Sequence, residues 1–171
     1  YWIMDAYTTS EYFPYSEPVA RRESIEFRDG SGTRTLMSDV GRSLGGANYI
    51  RNSVKIVVDA YEGSVDFYVF EPDDPLIRVW RAIFPGLFKD RDAMPEDMLR
   101  HIRYPLDLLR IQGLVYSKYH MSDPTVFYNQ EDLWVRATEK YYSRVQPVEP
   151  YYVMWEPPAT DSAEFVLILP F

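Results

Sequence analysis

VKIVVDAYEGSVDFYVFE, residues 54–71, is made of two alternating apolar runs that meet at Glu62-Gly63. A two-residue loop ending in glycine suits a turn that needs positive φ, so the stretch predicts a β-hairpin with Tyr61 opposite Ser64, Ala60 opposite Val65 and Val58 opposite Phe67. Alternation then gives one face to Val54, Ile56, Val58, Ala60, Val65, Phe67 and Val69, the expected core. The other face takes Lys55, Val57, Asp59, Tyr61, Ser64, Asp66, Tyr68 and Phe70. Val54, Val57, Val58 and Tyr61 also fit helical spacing, but the β-branched richness and Gly63 favour strands.

That register sets Asp59 across from Asp66 on the face expected to be exposed, where facing carboxylates cost a few tenths to about 1 kcal/mol. An arginine partner or plain exposure relieves such a pair most simply. A shared proton or a hard cation such as calcium would also do so, with Asp5 of the similar run Met4-Asp5-Ala6-Tyr7 as a third oxygen donor. Asp5, Asp59 and Asp66 are therefore the candidate metal ligands, although calcium normally gathers six or more oxygens.

Outward from the hairpin, Trp2 to Thr8 and Glu23 to Arg28 read as strands, Tyr12 to Pro18 as a rigid loop, and Asp29-Gly30-Ser31-Gly32 as a turn. Ser38 to Asn48, with Gly41, Gly45 and Gly46, predicts a loop with little protection from exchange; it has neither the spacing nor the lysine of a phosphate-binding loop. Asp74-Pro75 predicts a capped helix through Ile83 that stops at Pro85-Gly86. Met94-Pro95-Glu96 predicts another, running to about Arg103, and Pro105 separates it from a helix over Leu106 to Tyr119. Asp123-Pro124 predicts a third cap and a short helical turn. Tyr151 to Glu156 and Glu164 to Leu169 read as strands around the turn-prone Pro157 to Asp161. The expected fold is α+β, an antiparallel sheet built around the central hairpin with helices inserted between strands.

At 171 residues and 46% apolar composition, the chain predicts a single soluble domain over residues 1–171, able to bury a core without staples. It has no cysteine, so disulfides, thiolate metal sites and a cysteine nucleophile are excluded. A net charge of −8 argues against nucleic acid, whose binding needs a basic face. No apolar run reaches the ~20 residues of a spanning helix, so no direct membrane insertion is expected of this stretch. The abrupt ends, Tyr-Trp-Ile and Leu-Pro-Phe, suggest a domain excised from a longer chain.

No catalytic motif emerges, and none calls for a cofactor. His101 and His120 fit no zinc spacing; a hydrogen bond to a helix-end carbonyl is the plainer role for each. His120, Asp123, Tyr128, Glu131 and Asp132 bring acids, a base and an aromatic into one stretch that could house acid–base chemistry, although acids on loops are usually caps. Arg100, Arg103 and Arg110 could hold an anion but more often form ion pairs. The 15 tyrosines, among them Tyr12, Tyr15, Tyr151 and Tyr152, suit a carbohydrate or protein interface.

The runs YIRNSVKIVVDAY (49–61), RHIRYPLDLL (100–109), YHMSDPTVFYNQEDLW (119–134) and EPYYVMW (149–155) together resemble bacterial proteins grouped as uncharacterised protein family 0182. The resemblance implies a multi-pass membrane protein in which spanning helices precede a large region outside the cytoplasm, this chain being part of that region. It implies no catalytic or ligand residue. The leading expectation is a non-enzymatic extracytoplasmic interaction or assembly module of a cell-membrane protein, whose partner is the remainder of its own chain or another protein. The alternative is a hydrolase using the carboxylates near His120.

Overall fold

The computed structural model describes residues 1–29, 32–39, 44–158 and 162–171. In chain order the elements are β1 (Trp2–Ser10), β2 (Arg22–Asp29), β3 (Gly32–Asp39), β4 (Tyr49–Val58), β5 (Val65–Val69), α1 (Pro75–Ile83), β6 (Phe88–Asp90), α2 (Glu96–Leu99), α3 (Leu106–Tyr119), α4 (Pro124–Asn129), β7 (Thr138–Tyr141), β8 (Arg144–Pro147), β9 (Tyr151–Trp155) and β10 (Glu164–Ile168). The class is α+β. Where composition predicts one domain over 1–171, the chain gathers into two compact units. The first is Tyr1–Val19 with Leu44–Pro105, and the second is Ala20–Ser43 with Leu106–Phe171.

The first unit is a four-stranded sheet in the order β1-β4-β5-β6, with β4 and β5 as the inner pair. β1, β4 and β5 run antiparallel, and β6 joins β5 in parallel after α1 has crossed over. The central hairpin forms, but its register differs from the expected one by two residues: Val58 pairs with Val65 and Ile56 with Phe67. The cause is Asp59. Its carboxylate accepts the amides of Tyr61 (2.7 Å) and Glu62 (3.1 Å), which curls the chain early and makes Asp59 to Ser64 the connection. Gly63 still takes the positive φ, 71°, that the sequence required. Because side-chain direction repeats every two residues, the slip leaves the faces intact. It removes Asp59 from the strand, however, and Asp66 stands opposite Val57.

The second correction concerns burial, because both faces of this sheet are covered. On one face Val54 and Val69 enclose Ile77 of α1, with Ala6, Ile56, Phe67 and Phe88 around them. On the face expected to be exposed, Val57 and Tyr68 pack under Met94, with Ile3, Phe70, Met98, Leu99 and Ile102 alongside. The chain after β6 does this as a 3-10 turn, Arg91–Ala93, and then α2, which is one turn long instead of reaching Arg103. No straight helix joins Pro95 to Tyr119: α2 ends at Leu99 and α3 starts immediately after Pro105. The echo of Met4-Asp5-Ala6-Tyr7 in Val58-Asp59-Ala60-Tyr61 is not structural, since the first lies in β1 and the second begins in a strand and runs into a turn.

Among the described residues the second unit carries three two-stranded antiparallel sheets, β2-β3, β7-β8 and β9-β10, with α3 and α4. β3 and the β7-β8 hairpin were not legible in the sequence, and β3 claims Ser38 from the expected glycine loop. The rest of that expectation over 40–43 lies outside the described residues, as do Gly30-Ser31 and residues 159–161 of two expected turns. In α3, Gly113 serves a close approach: a Cβ there would stand 2.6 Å from the ring tip of Phe171 and 2.8 Å from Leu169 Cδ2.

Candidate functional site

The acids that crowd together over 123–132 in the sequence take separate local partners in the fold. Asp123 caps α4, accepting the amides of Thr125 (2.7 Å) and Val126 (3.1 Å). Glu131 accepts from Asn129 Nδ2 at 2.9 Å, and Tyr128 projects into solvent. Of the group, only Asp132 approaches His120, with Oδ2 3.5 Å from Nε2, a nitrogen that is buried without a hydrogen bond. His120 Nδ1 lies 3.2 Å from the Tyr116 carbonyl, and its ring stacks on Trp134 with centroids 4.1 Å apart. His101 makes the same carbonyl contact, to Asp97, at 2.6 Å. Both histidines thus take the helix-end role that the sequence favoured over metal binding.

The three candidate metal ligands each have separate engagements. Asp5 pairs with Lys55 of the neighbouring strand. Asp59 holds its own turn, and the Glu62 and Tyr61 amides keep its carboxyl below the usual range. Asp66 takes Lys89 Nζ at 2.7 Å and the Tyr68 hydroxyl at 3.3 Å; burial and the Asp66 charge push that phenol up. Among the described residues no group of three or more histidine or acidic side chains has an arrangement that could hold a metal ion.

Arg100 and Arg110 are used in ion pairs. Arg100 meets Glu96 one helical turn away, and Arg110 meets Asp107 (3.2 Å) and Glu149. Sequence reasoning missed Arg136, almost wholly buried, which donates to Glu23 Oε2 and to the Val148 carbonyl, both at 3.0 Å. Glu149 lies between Arg110 and Arg136, so that one run of charges ties β2, α3 and the segment before β9 together within the second unit.

The best-built polar cluster was also missed, and a β-bulge makes it. Between the pairs Ala6–Val54 and Thr8–Arg51, two residues of β4, Asn52 and Ser53, oppose the single Tyr7 of β1. Strict alternation would turn Ser53 away from the face that Val54 shares with α1. The bulge instead sends its hydroxyl to the N-terminus of that helix. There Asp74, 4% exposed, accepts Ser53 Oγ and Thr8 Oγ1 (2.6 Å each), Tyr49 Oη (2.7 Å), and the Leu76 (3.1 Å) and Ile77 (3.3 Å) amides. Burial raises the Asp74 carboxyl, but hydrogen bonds from Ser53, Thr8, Tyr49 and the Leu76 amide together outweigh it and hold the group below the usual carboxylate range. Five donors saturate the carboxylate. The cluster locks a capped helix onto a sheet and leaves no acceptor for a substrate.

Large aromatic side chains are exposed among the described residues. All four tryptophans, Trp2, Trp80, Trp134 and Trp155, are between 41% and 69% exposed. Tyr12 and Tyr15 stand in solvent on a loop gripped by Asn48, whose side chain donates to the carbonyls of Phe13 (2.8 Å) and Ser16 (3.1 Å) and accepts the Phe13 amide (2.9 Å). Tyr15 is held at φ 59°, a strained conformation for a bulky side chain.

These features define an α+β protein of two compact units whose buried Lys55, Asp74 and Arg136 are bonded within the chain and whose four tryptophans are exposed. The chain belongs to the Uncharacterised protein family (UPF0182), whose model matches residues 1–171. It is 48% identical over 171 residues to a UPF0182 protein of Pelotomaculum thermopropionicum and 48% identical over 171 to one of Thermosynechococcus vestitus. To one of Salinibacter ruber it is 48% identical over 172. These matches cover 99–100% of the chain but only 15–16% of each relative's length. No solved structure matches it.

Proposed function

We propose that these residues form a non-enzymatic interaction or assembly module, on the extracytoplasmic side of the cell membrane, within a longer membrane-anchored protein. The observation that carries this reading is the exposure of all four tryptophans. Tryptophan loses the most by standing in water and dominates the energetic centres of protein interfaces. The strained, solvent-facing Tyr15 adds a second surface feature maintained at a conformational cost. The hydrolase reading is less well supported, because Asp123 and Glu131 are turned to local roles and His120 is stacked under Trp134.

Two measurements on the full-length protein in its native membrane test the proposal. A photo-cross-linking residue in place of Trp155 should capture protein outside residues 1–171; absence of capture would remove the interaction reading. A single cysteine placed at the fully exposed Tyr61, in a cysteine-free background, should react with a membrane-impermeant maleimide in intact cells. Labelling only after lysis would place the module inside.

A further inference from the structure

The sheet of the first unit has two edges of different character. β6 is three residues long, whereas β1 is nine, and β4 is its one strand partner among the described residues. Native sheets protect a long edge with prolines, lysines, inward charges or bulges. β1, WIMDAYTTS, has no proline and no basic residue; its single charge, Asp5, is tied to Lys55, and the bulge lies in β4. The cross-strand rows Trp2–Val58–Val65 and Met4–Ile56–Phe67 reach this edge with Trp2 and Met4 exposed. On α1, which packs on the same face through Ile77, Trp80 and Phe84 stack at 5.9 Å and are both about half exposed.

Resting on the reading of the chain as an interaction module, we infer that the outer edge of β1 is the docking line for an extended strand supplied by the family protein's own chain beyond these 171 residues. The occupant is argued from length. This chain spans 15–16% of the relatives reported above, so most of each such molecule is polypeptide tethered nearby at high effective concentration. Strand addition supplies main-chain hydrogen bonds, and alternate side chains supply selectivity. The added strand extends the two apolar rows by one residue each. It carries apolar side chains beside Trp2 and Met4 and polar ones on the opposite face, beside the partly exposed Asp5.

Hydrogen exchange read amide by amide on the full-length protein tests this without a variant. In an edge strand, alternate amides lack a partner in the sheet and exchange fast. With a strand docked, the amides of residues 3–5 that point away from β4 are slowed about 10-fold or more and match those bonded to β4. An alternating fast and slow pattern along β1 overturns the inference, and capture at Trp155 in the same protein would leave the module reading standing. A photo-cross-linker at Met4 identifies the occupant. Products within one chain, to residues outside 1–171, support the inference. Products between differently tagged copies, or with another protein, overturn it.

Discussion

Replacing Asp74 with alanine should destabilise the protein by about 2–4 kcal/mol, which is large for a residue with no apolar contact to lose. The figure is built from the five bonds. Losing the cap of α1 costs about 1 kcal/mol, within a range of about 0.5–2. Thr8 and Ser53 lie 3.0 Å apart and can turn toward each other, which leaves Thr8 only the distant Arg51 carbonyl, 3.5 Å away, as acceptor while Tyr49 recovers part of its loss from water. A buried donor without an acceptor costs about 1–3 kcal/mol. Asp74→Asn keeps an oxygen for the amides and lets the hydroxyls turn to accept, so it should cost about half as much. Urea unfolding at pH 7, with an unchanged m value, measures both. An alanine variant within about 0.5 kcal/mol of wild type, or an asparagine variant worse than alanine, would refute the reasoning. Acid offers an independent check. A carboxyl held below its unfolded value near about 3.9 contributes stability that is complete above that value and is lost as pH falls through the folded one. The gap between wild type and Asp74→Asn should therefore shrink below about pH 4; a widening gap would reverse the assigned direction.

Lys55 is 4% exposed, while the side chain of its partner Asp5 is 35% exposed, so removing the two should be unequal. Asp5→Ala leaves an ammonium buried, among the described residues, beside the Arg103 carbonyl and the Phe70 ring, and should cost about 1–3 kcal/mol after allowing for solvent at Asp5; Lys55→Met should cost under about 1. Thermal unfolding ranks them, and an equal loss would show that desolvation of Lys55 is not the controlling term. Gly113→Leu should expel the Phe171 ring and disturb Trp134, whose ring lies 6.1 Å from it, so Trp134 fluorescence should shift red; an unchanged spectrum would mean that Phe171 is not seated on α3.

What the sequence made legible was what a residue does within one turn of its neighbours. Asp74 and Asp123 cap the helices predicted for them, the two histidines reach back to carbonyls, and the α+β class follows from the order of runs. Parity was legible too: the faces of the central hairpin survived a two-residue error in register because direction repeats every two residues. What failed depended on details that pattern does not encode. A side chain curled the turn at Asp59, residues 94–102 returned to cover the second face, and a bulge redirected Ser53.

The same distinction explains why the acids crowded over 123–132 took separate local partners while the Asp74 cluster went unnoticed. Acids crowded in sequence, as over 123–132, already have amides and amide side chains within reach, so local bonds use their oxygens first. A buried carboxylate that must gather several donors takes them from far along the chain. Asp74 draws on Thr8, Tyr49 and Ser53, and Glu23 on Arg136, 113 positions away. Each of those donors is an ordinary strand or loop residue until the fold brings it to its partner. In this chain, density of acids along the sequence therefore marked caps, and the buried carboxylate with the most donors was the one whose side-chain partners the sequence kept at a distance.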